Sequence, residues 1–322
     1  MNQSILLLDG LAVVYRAFYA VRGLTGPEGE PTNALFGFIR MLRQLENHWK
    51  PDRIVVAFDG GSPEHRLAKC PAYKAQRPPM PAELKSQLPL IEEYLSLSGI
   101  PSVRILKQEA DDVLATLAER AAARGDTVRI ATGDKDLMQL VCDRIRLVAP
   151  NKVDVEVDEA AVCAKTGVRP NQVVDWLAMI GDSADNIPGV PGIGPKTATK
   201  LLEQFGTLKD CLWHTDEIGS GGIREKIRAG RTVALLNVEL MVLDRNVPGV
   251  PPWKELSAPL ADDAGLEAFF ERHGLRRFKA ETRTKGKTAG GDGGTDAADV
   301  TDAAPKPNAK PPEPRLQQMS LF

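Results

Sequence analysis

Short apolar runs recur through the first half of the chain, at residues 5–8, 54–58, 103–106, 128–131 and 145–148. Each is too short for a helix and rich in Ile, Val or Leu, the pattern of a strand buried on both faces. Between them lie stretches with helical spacing. Residues 34–45 set Leu35, Phe38, Ile39 and Leu42 on one face, and residues 84–97 and 113–122 behave alike. Strand alternating with helix predicts an α/β unit, a mainly parallel sheet flanked by helices, over residues 1–170. Beyond residue 157 the strand signals stop. Helical patterns follow at 171–180, 195–205, 223–229, 232–243 and 264–273, which predicts a C-terminal all-helical domain over 171–280. Residues 281–314 carry almost no large apolar side chain and read as a disordered linker, because they bury too little surface to offset ordering entropy.

The acids fall at the ends of these runs. Asp9 follows 5–8, Asp59 follows 54–58, and Asp134 lies just past 128–131, with Asp136 beside it. Glu109, Asp111 and Asp112 come after the run 103–106 and open the next helical stretch. Ligands of open α/β sheets bind outside the carboxyl ends of the strands, so these acids are expected to converge there. Singly, each has a local explanation: Asp before Gly makes turns, and acids in a first helical turn cap it. Jointly they do not, since two carboxylates about 4 Å apart repel by on the order of 4 kcal/mol at an effective dielectric near 20. Such a gathering calls for cations. All-oxygen ligands without Cys or His point to Mg²⁺ or Mn²⁺, two or more ions, the usual device for phosphodiester hydrolysis.

Composition sets limits on other classes. The 322 residues carry a net charge of -2, which neither advertises nor excludes a nucleic-acid binder, because an acidic metal site cancels a local basic surface in the sum. Cys70, Cys142, Cys163 and Cys211 are scattered without a CxxC pair, which argues against zinc and disulfides and suits a reducing cytoplasm. The run 5–8 is too short for a signal sequence or a membrane span. The expectation is a soluble cytoplasmic, nucleoid-associated bacterial protein, acting as a monomer and without a membrane partner.

The most specific stretch is GDSADNIPGVPGIGPKTATKLL. Gly192 and Gly194 lie between two helical patterns, Gly189 precedes them, and Lys196, Thr197 and Lys200 follow. This reads as a helix-hairpin-helix, in which glycines let backbone approach phosphate and lysines add charge. With LLLDG, GEPTNALFGF, VAFDG, YKAQRPPMP, EADDVLATLA and ATGDKDLMQLV, it makes the chain resemble the 5′–3′ exonuclease/flap endonuclease family over about residues 4–280, in particular the N-terminal nuclease domain of bacterial DNA polymerase I.

The resemblance implies a PIN-like core and a metal site built from Asp9, Asp59, Glu109, Asp111, Asp112, Asp134, Asp136, Asp182 and Asp185, in two groups around two metals, with a K⁺ ion at the hairpin. It implies that the basic, proline-rich segment 62–90, with Arg66 and Lys69, forms an arch passing a 5′ single strand. There Lys74 and Arg77 match cations on the scissile phosphate, and Tyr73 is placed to stack on a base. The implied substrate is branched or nicked DNA, a 5′ flap or an RNA-primed junction, in replication and repair. Two other readings compete: a non-catalytic structure-specific DNA-binding paralogue, which predicts missing metal acids, and a PIN-type ribonuclease, which predicts neither hairpin nor arch. The tail ends in Gln318, Leu321 and Phe322, resembling the bacterial sliding-clamp-binding motif of residues 318–322. About 35 flexible residues would tether it across roughly 30–35 Å. No polymerase domain follows, so a free-standing nuclease is expected.

Overall fold

The computed structural model describes residues 2–257 and 259–279. The expected linker and the clamp motif at Gln318, Leu321 and Phe322 lie outside the described residues.

Six strands form one sheet: β1 (Ser4–Asp9), β2 (Arg53–Phe58), β3 (Ser102–Arg104), β4 (Thr127–Ala131), β5 (Ile145–Ala149) and β6 (Lys152–Val157). Their order is β3-β2-β1-β4-β5-β6, parallel throughout except for the antiparallel pair β5–β6. The chain runs outward from β1 to β3 on one side and from β4 outward on the other. The switch in direction therefore falls between β1 and β4, the place at the carboxyl edge where open α/β sheets form a ligand crevice. Two sequence expectations need correction here. The third strand stops at Arg104, and Leu106 is 77% exposed rather than buried in a strand. β6 carries no buried alternation beyond Val157 and follows β5 through a tight turn, so apolar patterning did not reveal it.

The sheet separates two apolar layers. Ile5, Leu7, Val55, Ala57 and Ile130 face the helix Ala110–Ala123 and are continuous with the helical unit, through Trp176 and Leu177. Leu6, Leu8, Val56 and Phe58 face the helices Gly10–Ala20, Asn33–Trp49 and Leu88–Leu97. Alternate residues of one strand thus feed opposite layers, as strand geometry requires.

The helical unit contains Val173–Ile180, Pro195–Phe205, Leu208–Trp213, Gly221–Ala229 and Arg231–Met241. A two-stranded hairpin, Gly181–Asp182 with Ile187–Pro188, interrupts it, so strands do not stop at residue 157. The helix Asp263–Arg272 does not belong to this unit. Phe269, Phe270 and Phe278 join the far layer beside Phe38 and Tyr94, and the Arg43 guanidinium lies over the rings of Phe270 and Phe278 at 5.3 and 5.0 Å. Among the described residues, no helix is long and apolar enough to cross a membrane.

Candidate metal centre and nucleic-acid interface

Residues from both units meet at the switch point. Asp9, last in β1, caps the helix Gly10–Ala20 with one carboxylate oxygen (Ala12 N–H, 3.0 Å), and its other oxygen accepts from the Thr132 hydroxyl at 3.2 Å. Asp59, just past β2, accepts from the amide of Ala110 at 2.7 Å and so caps the helix Ala110–Ala123 from a neighbouring strand. Glu109, the residue in the capping position, makes no such bond. Thr132 also accepts from Asp134 N–H at 3.0 Å, and Asp134 accepts from Asp136 N–H at 2.9 Å. These local bonds fix the direction of each carboxylate while leaving lone pairs free.

Crowding shows in the protonation of these groups. Burial first, and then the charges of Asp59 and Asp134, push Asp9 up to about 7. Asp111 is raised well above the usual carboxylate range by burial and by Asp134, Asp9 and Asp59. Asp136 is raised likewise by burial and by Asp134, Asp185 and Asp182, and Asp59 and Asp134 shift upward mainly through burial. Both causes disfavour charge, and a bound cation relieves both.

The hairpin brings the remaining acids. One carboxylate oxygen from each of Asp136, Asp182 and Asp185 lies within 4.8 Å of the others, and Asp136 Oδ1 is buried without a hydrogen-bond partner. Asp182 pairs with Lys135 at 3.0 Å. Lys135 stands between two acids in the sequence, which was the available sign of its role, and sequence reasoning passed over it.

Glu109 and Asp112 are held differently. Arg66 is 3% exposed and forms a fork onto Asp112, 2.6 and 2.8 Å, with Glu109 Oε2 at 2.5 Å and the Leu240 carbonyl at 2.8 Å. Asp112 Oδ1 also accepts from Asp244 N–H at 2.9 Å. Burial would lower the Arg66 pKa, but the bond and charge of Asp112, together with Glu109, raise it. Two expectations change as a result. Arg66 is an internal counter-ion and not a DNA-facing cation, and Asp112 commits both of its oxygens to Arg66 and one of them also to the Asp244 backbone.

The segment 62–90 is anchored at both ends rather than standing free. Arg66 secures one end. At the other, buried Gln87 accepts from the amides of Ala34 and Leu35 at 2.8 and 3.1 Å, capping the helix Asn33–Trp49, whose N-cap Thr32 makes no side-chain cap bond. Between these anchors the chain passes from one apolar layer at Tyr73 to the other at Met80. It therefore crosses the carboxyl edge of the sheet.

Lys74 contacts Glu109 and lies 3.5 Å from Asp185, and Arg77 reaches Asp185 at 2.6 Å. Burial would lower the Lys74 pKa, but Glu109 and Asp185 raise it well above the ordinary lysine range. Tyr73 needs correction. The residue is 6% exposed, and its hydroxyl lies 3.0 Å from Asp185 and 3.2 Å from Glu109, so here it braces the acids rather than presenting its ring to a base. Lys69 pairs with Glu239 at 2.9 Å on the surface, outside the crevice.

At the glycine-rich turn, Lys196 and Lys200 are exposed and Thr197 is half-buried on the helix Pro195–Phe205, capped by Gly194. Gly192 adopts a left-handed φ of 76°, with the Lys226 ammonium 3.4 Å from its carbonyl oxygen. Gly189 has a packing role: a Cβ there would lie 2.3 Å from the Ile180 carbonyl group.

Family models match this chain over two consecutive stretches. Residues 4–167 match a 5′–3′ exonuclease, N-terminal resolvase-like domain, and residues 168–263 match a 5′–3′ exonuclease, C-terminal SAM fold. A 5′–3′ exonuclease of Aquifex aeolicus is 41% identical over 210 residues, 65% of this chain and 72% of that protein. DNA polymerase I of Bacillus caldotenax is 37% identical over 281 residues, 86% of this chain. The chain spans about a third (32%) of the length of the polymerase relatives it matches first. Among solved structures, T5 5′-exonuclease with bound zinc aligns with a TM-score of 0.64 at 21% identity, over 84% of this chain and 99% of that one. The catalytic core of Rad2 in complex with DNA substrate aligns at 0.60 and 17%, over 87% and 91%. Both share the fold. The chain belongs to the 5′–3′ exonuclease family.

Proposed function

We propose that this chain is a structure-specific 5′ nuclease that hydrolyses DNA phosphodiesters near 5′ flaps, nicks or primer junctions. The observation that carries this reading is the meeting of acids from the sheet and the hairpin at one crevice, crossed by a segment bearing Lys74 and Arg77.

The donor set fits hard divalent cations: it is all oxygen, it is crowded enough to resist ionisation, and it includes a buried oxygen of Asp136 with no partner. Asp9, Asp59, Asp111 and Asp134 would hold one ion, and Asp136, Asp182 and Asp185 a second. When bound, Mg²⁺ or Mn²⁺ supplies Lewis-acid stabilisation of the phosphate oxygens and a more acidic water. Lys74 and Arg77 would then exchange Glu109 and Asp185 for the non-bridging oxygens, stabilising the charge that develops there. Water adds to phosphorus as the bond to the 3′ oxygen breaks, which leaves a 5′-phosphate and a 3′-hydroxyl. Lys196, Lys200 and the amides at the start of their helix would hold the duplex phosphates. The solved relatives support this reading, since T5 5′-exonuclease binds divalent metal ions and the Rad2 core binds DNA substrate.

Purified protein should cut 5′-flap DNA with Mg²⁺ and RNA-primed DNA at a comparable rate, and should leave single-stranded RNA intact. Preferential cleavage of single-stranded RNA would favour a ribonuclease, and binding without cleavage a non-catalytic paralogue. Docking of residues 318–322 on a sliding clamp belongs to the same proposal. It predicts capture by immobilised clamp that is lost in the Leu321→Ala/Phe322→Ala variant, and capture that survives this change would remove the peptide from the account.

A further inference from the structure

Lys74 has a left-handed backbone, φ 55°, a conformation that long side chains rarely adopt. What holds it there is a second turn. The Lys74 amide donates to the Asp185 carbonyl at 3.0 Å, next to Asn186, which is itself left-handed at φ 58°. Asn186 Nδ2 donates to the Ala72 carbonyl at 2.7 Å, and Gln76 Nε2 donates to the Ser183 carbonyl at 2.9 Å and to that of Ala184 at 3.3 Å. The two turns are thus stitched in both directions. Neither amide side chain touches an acid of the metal site, and both are exposed, so core packing does not account for them.

We propose that Asn186 and Gln76 are positioning residues that clasp residues 72–77 to residues 183–186, presenting Lys74 and Arg77 to the scissile phosphate only when the hairpin acids are in place. The clasp rests on the nuclease reading and adds to it a reason for the unusual backbone at Lys74. It also makes the two halves of the site interdependent: the hairpin carries Asp182 and Asp185, and the same turn fixes the cations that act beside them. Asn is the side chain suited to position 186, because it tolerates a left-handed backbone and still offers an amide donor.

The test is single-turnover cleavage of 5′-flap DNA by the full-length protein, with DNA affinity measured separately in EDTA. Asn186→Ala and Gln76→Ala should each slow cleavage about three- to ten-fold, the worth of one net hydrogen bond, with affinity changed by less than about two-fold. In a Lys74→Ala/Arg77→Ala background the same changes should alter the rate by less than about two-fold, because both groups they position are gone. Asn186→Gly, which keeps the left-handed turn without strain, should be as slow as Asn186→Ala and serves if the alanine variant folds poorly. Equal slowing in both backgrounds, a defect confined to binding, or a wild-type rate for Asn186→Gly would each overturn the clasp while leaving the nuclease assignment intact. A wild-type protein that fails to cut would remove both.

Discussion

At the scale of single residues, Arg66 separates structure from chemistry within the acid cluster. Two carboxylates and a guanidinium are buried together, and removal of one partner leaves uncompensated charge. Arg66→Ala should therefore cost about 3–5 kcal/mol, read as a lower urea midpoint in EDTA, where metal binding cannot contribute. An unchanged midpoint would mean that water replaces the guanidinium. The acids facing the crevice act oppositely. Asp9, Asp111, Asp134 and Asp136 have raised folded-state pKa values, so the stability they contribute is present at acidic pH and lost as pH rises through those values, which for Asp9 is about 7. Chelated protein should accordingly melt lower at pH 8 than at pH 5.5 through these groups, and saturating Mg²⁺ should reverse the loss at pH 8. Identical melting with and without Mg²⁺ at pH 8 would contradict the crowding. Asp9, Asp59 and Asp134 were legible in the sequence because period and length mark strand ends. Arg66 was not, since nothing in EHRLAK distinguishes a buried counter-ion from a surface charge, and its partners lie in a distant helix and in the backbone near Leu240.

At the scale of elements, the glycine-rich turn serves two purposes that its sequence runs together. Gly189 sits against the Ile180 carbonyl, where a methyl group has no room, whereas Gly194 has open space and an ordinary backbone. Gly189→Ala should destabilise the protein measurably in thermal melts and Gly194→Ala should not. Equal melting of the two would show that the hairpin yields. The anchored segment 62–90 teaches the same lesson. The family resemblance implied an arch there, but its two ends are fixed by Arg66 and Gln87 acting on partners remote in sequence, and local pattern carries no record of which partners those are. The parallel strands and long helices were readable because each has its own period. β6 and the short hairpin were not, having too few residues to show one.

At the scale of the whole molecule, both apolar layers depend on elements late in the chain. The helical unit extends the layer beneath Ala110–Ala123, and the helix Asp263–Arg272 returns to the other layer with Phe269 and Phe270 fully buried. The metal-site acids are therefore held between units that share one core, and Phe270→Ala should destabilise the protein by about 3–5 kcal/mol although it packs in the layer on the opposite face of the sheet from the helix Ala110–Ala123. The central claim is that carboxylates of the sheet and of the hairpin form one centre for divalent cations on which cleavage depends. The most direct measurement is a calorimetric Mn²⁺ titration of wild-type, Asp134→Ala and Asp182→Ala proteins, paired with 5′-flap cleavage by the same samples. The account predicts that each substitution weakens or removes Mn²⁺ binding, that Asp134→Ala abolishes cleavage and Asp182→Ala severely impairs it, and that EDTA abolishes wild-type activity. Undiminished cleavage in EDTA, or wild-type Mn²⁺ binding by both variants, would contradict it.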